Sequence, residues 1–73
     1  MKPAELETEL IEEILMNVPA MVQDLSTADL KGDAVCYPYF IDCIYSVIFS
    51  IPDLNLIRVE WFEDGEVCYK NLQ

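Results

Sequence analysis

The sequence contains no histidine, and this absence removes several kinds of chemistry at once. Without an imidazole there is no serine–histidine or cysteine–histidine nucleophile, and no histidine ligand for zinc. Glycine occurs only at Gly32 and Gly65, so no glycine-rich loop is present to hold a phosphate. We therefore expect a protein that is not an enzyme, with no catalytic residue, no metal and no cofactor.

Carboxylates are the only abundant groups left for acid–base catalysis. Glu12 with Asp42 or Glu60 stays open as such a pair. Most acids, however, lie in segments predicted to face solvent, where nothing distinguishes them from ordinary surface charges. Asp42 is the exception because it lies within an apolar segment. A small enzyme subunit is consequently the least favoured function.

Basic residues are scarce, with four Lys and Arg against fourteen Asp and Glu, a net charge of −10. The few bases are scattered along the chain, so a nucleic acid duplex would be repelled and direct nucleic-acid binding is not expected. The chain is nevertheless 53% hydrophobic, which indicates a folded protein rather than a disordered acidic tail. At this length we expect a single domain over residues 1–73, with little stability to spare.

Cysteine is also sparse: three residues without a CxxC spacing favour reduced thiols over a disulfide framework or a metal site. Acidic residues from Glu5 onward occupy the region where an export signal would carry its apolar core. Both features predict a cytoplasmic protein. The acidic clusters at residues 53–55 and 63–66 do not have the spacing of a calcium-binding loop.

The N-terminal third has the pattern of amphipathic helices. Apolar residues recur at helical spacing between positions 6 and 18, and Pro3 suits the first turn of a helix. Pro19 interrupts the pattern, so we expect one helix to end near Val18 and a short second one to run to about Leu25. The segment from Ser26 to Gly32 is predicted to be a single capped turn.

Residues 39–51 form an ambiguous apolar segment. Their β-branched and aromatic residues favour a strand, but Asp42, Ser46 and Ser50 fall at i, i+4 and i+8, which on a helix makes one polar stripe. We therefore predict a central apolar helix, with a strand as the alternative. Only about 20 Å of helix fits between Pro38 and Pro52, whereas a bilayer core is about 30 Å thick, so no membrane span is expected.

The C-terminal residues predict an antiparallel β-hairpin around Asp64-Gly65. A two-residue turn would place Trp61 opposite Cys68 and Glu63 opposite Glu66. A three-residue loop with Gly65 left-handed would instead place Trp61 opposite Val67 and avoid the like-charge pair, so it is preferred. The predicted fold class is thus α+β, with N-terminal helices, a central helix and a C-terminal hairpin.

The acids are unevenly distributed, which suggests a function. Residues 1–33 carry a net charge of −6, residues 34–51 one acid, and residues 52–73 a net charge of −3. On one continuous helix the glutamates from position 5 to 13 would present a charge about every 2.4 Å, against about 1.7 Å for duplex DNA. The helix also has no lysines at i+4, the usual companions on a merely soluble helix.

We therefore expect a non-enzymatic acidic protein that binds a basic protein partner. The favoured role is an inhibitor or modulator of a nucleic-acid-handling protein, as a DNA mimic of the kind that phages and mobile elements encode. The predicted partner-binding residues are Glu5, Glu9, Glu12, Glu13, Glu63, Asp64 and Glu66. The alternative without a specific partner is an acidic face that only keeps the protein soluble. The alternative function is a homo-oligomeric accessory or structural protein, such as a homodimer, whose apolar surface is the functional interface.

Overall fold

The computed structural model describes all residues from Met1 to Gln73 as one helix and six strands. The elements in chain order are β1 (Lys2–Pro3), α1 (Thr8–Val22), β2 (Asp29–Lys31), β3 (Ala34–Ile41), β4 (Cys43–Ser50), β5 (Leu56–Glu63) and β6 (Glu66–Asn71). The strands form one sheet in the order β1-β6-β5-β4-β3-β2. Strands β2 to β6 are antiparallel neighbours, and β1 pairs with β6 in parallel.

Helix α1 packs on one side of this sheet, which we call the covered face. Its buried residues Ile14, Val18 and Met21 lie at spacings of three and four, so they form one stripe that meets the strands. The strand residues buried in the same core are Val35, Val47, Phe49, Leu56, Val59, Trp61 and Cys68. Side chains alternate along a strand, so the intervening residues point to the opposite side, which we call the open face.

The predicted central helix is wrong, because residues 39–51 form the end of β3, a tight turn and β4. Asp42 lies at the turn with a φ of 58°, a left-handed conformation that aspartate tolerates better than most residues. The open face of strand β4 mixes polar and apolar residues, since Ser46 lies there together with Ile44 and Ile48. A strand with apolar residues on both faces has no clean alternation, and this gave the segment its helical appearance.

The predicted pair of N-terminal helices is also wrong. Pro3 lies in strand β1, the helix begins only at Thr8, and it continues through Pro19 to Val22. Pro19 cannot donate a backbone hydrogen bond, but it is exposed, so water can satisfy the freed carbonyl one turn earlier. Residues 29–31 form strand β2 rather than a helical turn.

The two C-terminal strands are present, but as part of the six-stranded sheet and in the register that the sequence disfavoured. Glu63 lies opposite Glu66 and Trp61 opposite Cys68, joined by a two-residue turn. Asp64 and Gly65 both have positive φ, 52° and 78°, as the favoured type I′ hairpin turn requires. This register places Trp61 and Cys68 together in the core under the helix, which outweighs one exposed like-charge pair.

The structure contains no helix that is both long enough and apolar enough to cross a bilayer. The only helix has 15 residues and carries several glutamates, and the long apolar segment of the sequence is divided between two strands. The prediction that this segment does not span the membrane as a helix is therefore confirmed.

Candidate functional site

An acidic groove of about 490 Å³ lies between the N-terminal half of α1 and the neighbouring ends of β3, β4 and β5. It is lined by Glu5, Leu6, Glu7, Glu9, Leu10, Glu13, Ile41, Asp42, Tyr45, Trp61 and Glu63. Six of these residues are carboxylates and none is basic. The groove is therefore the place where the negative charge of the chain is most concentrated around a concave surface.

The carboxylates come from four different parts of the chain. Glu9 and Glu13 are one helical turn apart, so they project from the same side of α1. Glu5 and Glu7 belong to the segment that leads into the helix. Two further acids, at the β3–β4 turn and at the end of β5, complete the opposite wall. The sheet register thus brings acids more than fifty residues apart in sequence to one groove.

Aromatic rings form part of the floor between these acids. The rings of Tyr45 and Trp61 are tilted by 50°, with their centroids 6.2 Å apart. Trp61 Nε1 donates a hydrogen bond to Glu63 Oε2 over 3.3 Å, which holds that carboxylate against the groove wall. The groove therefore combines an apolar and aromatic floor with a rim of negative charge.

Few of the groove acids have a basic partner. Lys70 Nζ lies 2.9 Å from Glu5 Oε1, and no ion pair reaches the other five carboxylates of the lining. An exposed ion pair contributes little stability, about 0–1 kcal/mol. The groove consequently keeps a large uncompensated negative charge that a cationic group could neutralise.

Two tyrosines near the groove hold their protons more tightly than usual. A hydrogen bond with Cys43, burial and the nearby acids raise the pKa of Tyr45 to about 12. Burial, followed by the neighbouring Glu13 carboxylate, raises the pKa of Tyr39. Both phenols are therefore neutral hydrogen-bond donors at physiological pH, and they add no charge to that of the carboxylates.

The structure divides the seven residues predicted to bind a partner into two groups. Glu5, Glu9, Glu13 and Glu63 line the groove. Glu12 lies on α1 but does not line it. Asp64 and Glu66 are exposed at the β5–β6 turn, where Lys2 Nζ lies 4.0 Å from Glu66 Oε1.

The helix begins too late to carry all the glutamates from position 5 to 13. Glu5 and Glu7 precede α1, so the row of glutamates on one continuous helix does not exist. The helix and the C-terminal hairpin were also expected to present separate acidic patches. Glu63, at the end of β5, instead shares the groove with the helix acids.

Seven of the eleven groove residues were not among the predicted partner-binding residues, and three of these seven are the aliphatic residues Leu6, Leu10 and Ile41. Glu7 and Asp42 add carboxylates, while Tyr45 and Trp61 provide the aromatic floor. Asp42 did stand out as a lone acid in an apolar segment, but its position at a turn depends on the strand pairing. Nothing local in the sequence indicates that β4 and β5 place their aromatic rings side by side.

The carboxylate pairs considered for catalysis are not brought together as a site. Glu60 lies on the open face, where its Oε2 is 2.9 Å from Arg58 Nε, whereas Glu12 belongs to the helix on the other side of the sheet. Asp42 lines the groove without Glu12. The three cysteines are free: Cys68 is buried, Cys36 half-buried and Cys43 exposed.

Comparison of the chain with protein families, with curated protein sequences and with solved structures found no match.

Proposed function

We propose that this protein is a non-enzymatic binding protein whose acidic groove receives a basic segment of another protein. The single observation that supports this most is the convergence of six carboxylates on one aromatic-floored groove that no basic residue lines. Bringing like charges together is unfavourable, so a bound cation would relieve their repulsion. A purely solubilising surface has no need for such convergence.

The groove is suited to lysine and arginine side chains. Their aliphatic stems can lie on Leu10, Tyr45 and Trp61 while the charged ends reach the carboxylates at the rim. Arginine gains further from aromatic rings, since its guanidinium stacks on their faces. A basic loop or helix of a partner protein is therefore the expected occupant, and the partner is not a nucleic acid.

The biological role that we propose is inhibition or modulation of a basic, nucleic-acid-handling protein. Such a partner carries a lysine- and arginine-rich surface for phosphates, and an acidic groove competes for the same side chains. The DNA mimic acts through clustered carboxylates on a folded surface. The helix acids and Glu63 form the main contact, and Asp64 with Glu66 extends it toward the hairpin turn.

Trp61 provides a direct test, because it is the only tryptophan and it lines the groove. An arginine-rich peptide added to the protein is expected to change the fluorescence of Trp61, whereas a neutral peptide of equal length is not. The affinity should fall as salt increases, since exposed charges are screened over about 10 Å at 0.1 M salt. Binding that is independent of salt contradicts the proposal.

The helix offers a matched control for the same experiment. Reversing both groove acids in Glu9→Lys/Glu13→Lys is expected to weaken peptide binding by at least about tenfold, or about 1.4 kcal/mol. Glu12→Lys makes the same kind of change on the same helix, outside the groove, and is expected to have a much smaller effect. Equal effects of groove and control variants, per charge reversed, would mean that net charge alone drives binding.

The inhibitory role is tested with partners captured from cell extract. The tagged protein and the Glu9→Lys/Glu13→Lys variant serve as baits at low and high salt. A captured partner should be basic, should be lost in high salt and in the variant, and should release a labelled DNA duplex when the protein is added. A partner that holds its duplex unchanged argues against DNA mimicry.

A homo-oligomeric accessory role is the second function that we propose. The central apolar helix on which it was based does not exist, so it now depends on the apolar residues of the open face.

A further inference from the structure

The open face of the sheet carries an apolar row that no part of the chain covers. Phe40 pairs with Ile44 across β3 and β4, and Phe62 pairs with Val67 across β5 and β6. Ile44, Phe62 and Val67 line one shallow pocket, which joins the two pairs into a row over four strands. Phe40, Ile44 and Phe62 are 73%, 51% and 67% exposed.

The rest of the open face mixes polar and apolar residues. The next rows across the sheet are Pro38–Ser46–Glu60–Tyr69 and Cys36–Ile48–Arg58–Asn71. An antiparallel sheet with one solvated face normally has polar residues there. This sheet has polar residues in those two rows, so its uncovered apolar surface is concentrated in the row of Phe40, Ile44, Phe62 and Val67.

The open face is close to electrically neutral. Arg58 and Glu60 are the only charged residues that the four long strands direct to it, and they form an ion pair of 2.9 Å. The Arg58 guanidinium also lies over the ring of Tyr69, 4.0 Å from its centroid. Asp29 and Lys31 of the short edge strand β2 lie on the same side and have opposite charges, so they add no net charge. Much of the net charge of −10 lies around the groove on the helix side.

We propose that the open face is the interface of a homodimer in which two sheets pack face to face. A second copy is repelled by the acidic groove and helix, whereas the open face carries no net charge. A two-fold arrangement brings two neutral, apolar surfaces together and leaves both acidic grooves on the outside. A basic partner, by contrast, has no charge complementarity with this face.

The size of the face fits a reversible dimer. Strands β3, β4 and β5 have eight residues each, β6 has six, β2 three and β1 two. At about 3.3 Å per residue and about 4.8 Å between strands, the sheet face covers roughly 550 Å² per copy and 1,100 Å² in a pair. This is close to the smallest area, about 1,000 Å², that a specific interface buries. The dimer should therefore depend on concentration.

Sedimentation of the full chain over a wide concentration range tests the dimer. We expect dimers at high concentration, and we expect added salt to strengthen them because it screens repulsion between the two acidic chains. Salt has the opposite effect on the proposed binding of a basic partner, so the two ideas can fail separately. A chain that remains monomeric at every concentration and salt level overturns the dimer proposal.

Matched variants locate the interface. Phe62→Glu and Ile44→Glu place a charge on the open face and should raise the dimer dissociation constant by at least about tenfold. Met16→Glu is the control, because Met16 is 81% exposed but lies on the helix. An equal loss of dimer in all three variants would mean that charge, not this face, controls association. Circular dichroism verifies that each variant is folded.

Discussion

Both faces of the sheet carry large apolar side chains, but the two sets have opposite surroundings. On the covered face Val47 and Phe49 are fully buried beneath α1. On the open face Phe40 and Phe62 remain largely exposed. The same strands supply both sets, since their side chains alternate between the two sides. Apolar composition therefore does not reveal which face forms the core, and the position of the single helix decides it.

The charges divide in the same way. The helix side carries the acidic groove, with six carboxylates in its lining, whereas the charged residues of the open face balance one another. Under the two proposals, this separation gives a small protein two surfaces with different partners: a charged concave one for basic groups and a neutral flat one for another sheet. Each surface is unsuited to the partner of the other.

The largest expected effect on stability comes from removing an aromatic ring from the covered face, with the open face as the comparison. Phe49→Ala should lower the free energy of unfolding by about 3–5 kcal/mol, because it leaves a cavity in the core. Phe62→Ala should change it by no more than about 0.5 kcal/mol in dilute protein, where its ring is in water. Urea denaturation of both variants measures the difference. Similar losses would mean that the open face is covered even in the monomer.

Repeating the measurements at several protein concentrations further separates Phe49 from Phe62. If two sheets pair, Phe62→Ala should become more destabilising as the protein concentration rises, since only the dimer buries its ring. The cost of Phe49→Ala should not depend on concentration in this way. The same pair of variants thus distinguishes a monomer core residue from a dimer contact.

Sequence reasoning identified the acidic character and part of the groove, but not the fold that builds it. The pattern from Leu10 to Val18 correctly indicated a helix, because a single covered stripe leaves the regular spacing of three and four intact. The segment from Tyr39 to Ile51 was misassigned, because both of its faces are apolar and the period of two is lost. The spacing of apolar residues therefore identifies an element only when that element has one apolar side and one polar side.

The groove could be predicted only where its residues are local in sequence. Glu9 and Glu13 share a helix side by spacing alone. Glu63 and Asp42 join them through pairing between β3, β4 and β5, which depends on contacts distant in sequence. The turn at Asp64-Gly65 was similarly decided by the core, since packing Trp61 beside Cys68 is worth more than separating Glu63 from Glu66.

A moderate effect on stability is expected at the β5–β6 turn, which fixes the register of the two strands and so decides which side chains lie on each face. Gly65 has a φ of 78°, and nothing lies within 4 Å of the position that a Cβ would occupy. Gly65→Ala should therefore cost only the backbone strain of a left-handed alanine, about 1–2 kcal/mol. Thermal unfolding measures this cost. Asp64→Gly is the control: it allows the same turn and should be nearly neutral.

The smallest expected effect is the change in stability at alkaline pH that comes from the Tyr45 phenol on the covered face. The pKa of Tyr45 is raised to about 12, whereas an unfolded tyrosine titrates near pH 10. Folding therefore favours the neutral phenol, and the resulting stability is fully present below about pH 10 and lost as the pH rises through about 12. Burial also raises the pKa of Cys68, which acts in the same direction.

Urea denaturation across this alkaline range, with Tyr45→Phe as the comparison, measures the contribution of the phenol. The variant keeps the ring but has no proton to lose, so its stability should decline less steeply above about pH 10. The effect is small because Tyr45 is partly exposed and water screens its charged form. Parallel declines in both proteins would place the alkaline sensitivity elsewhere.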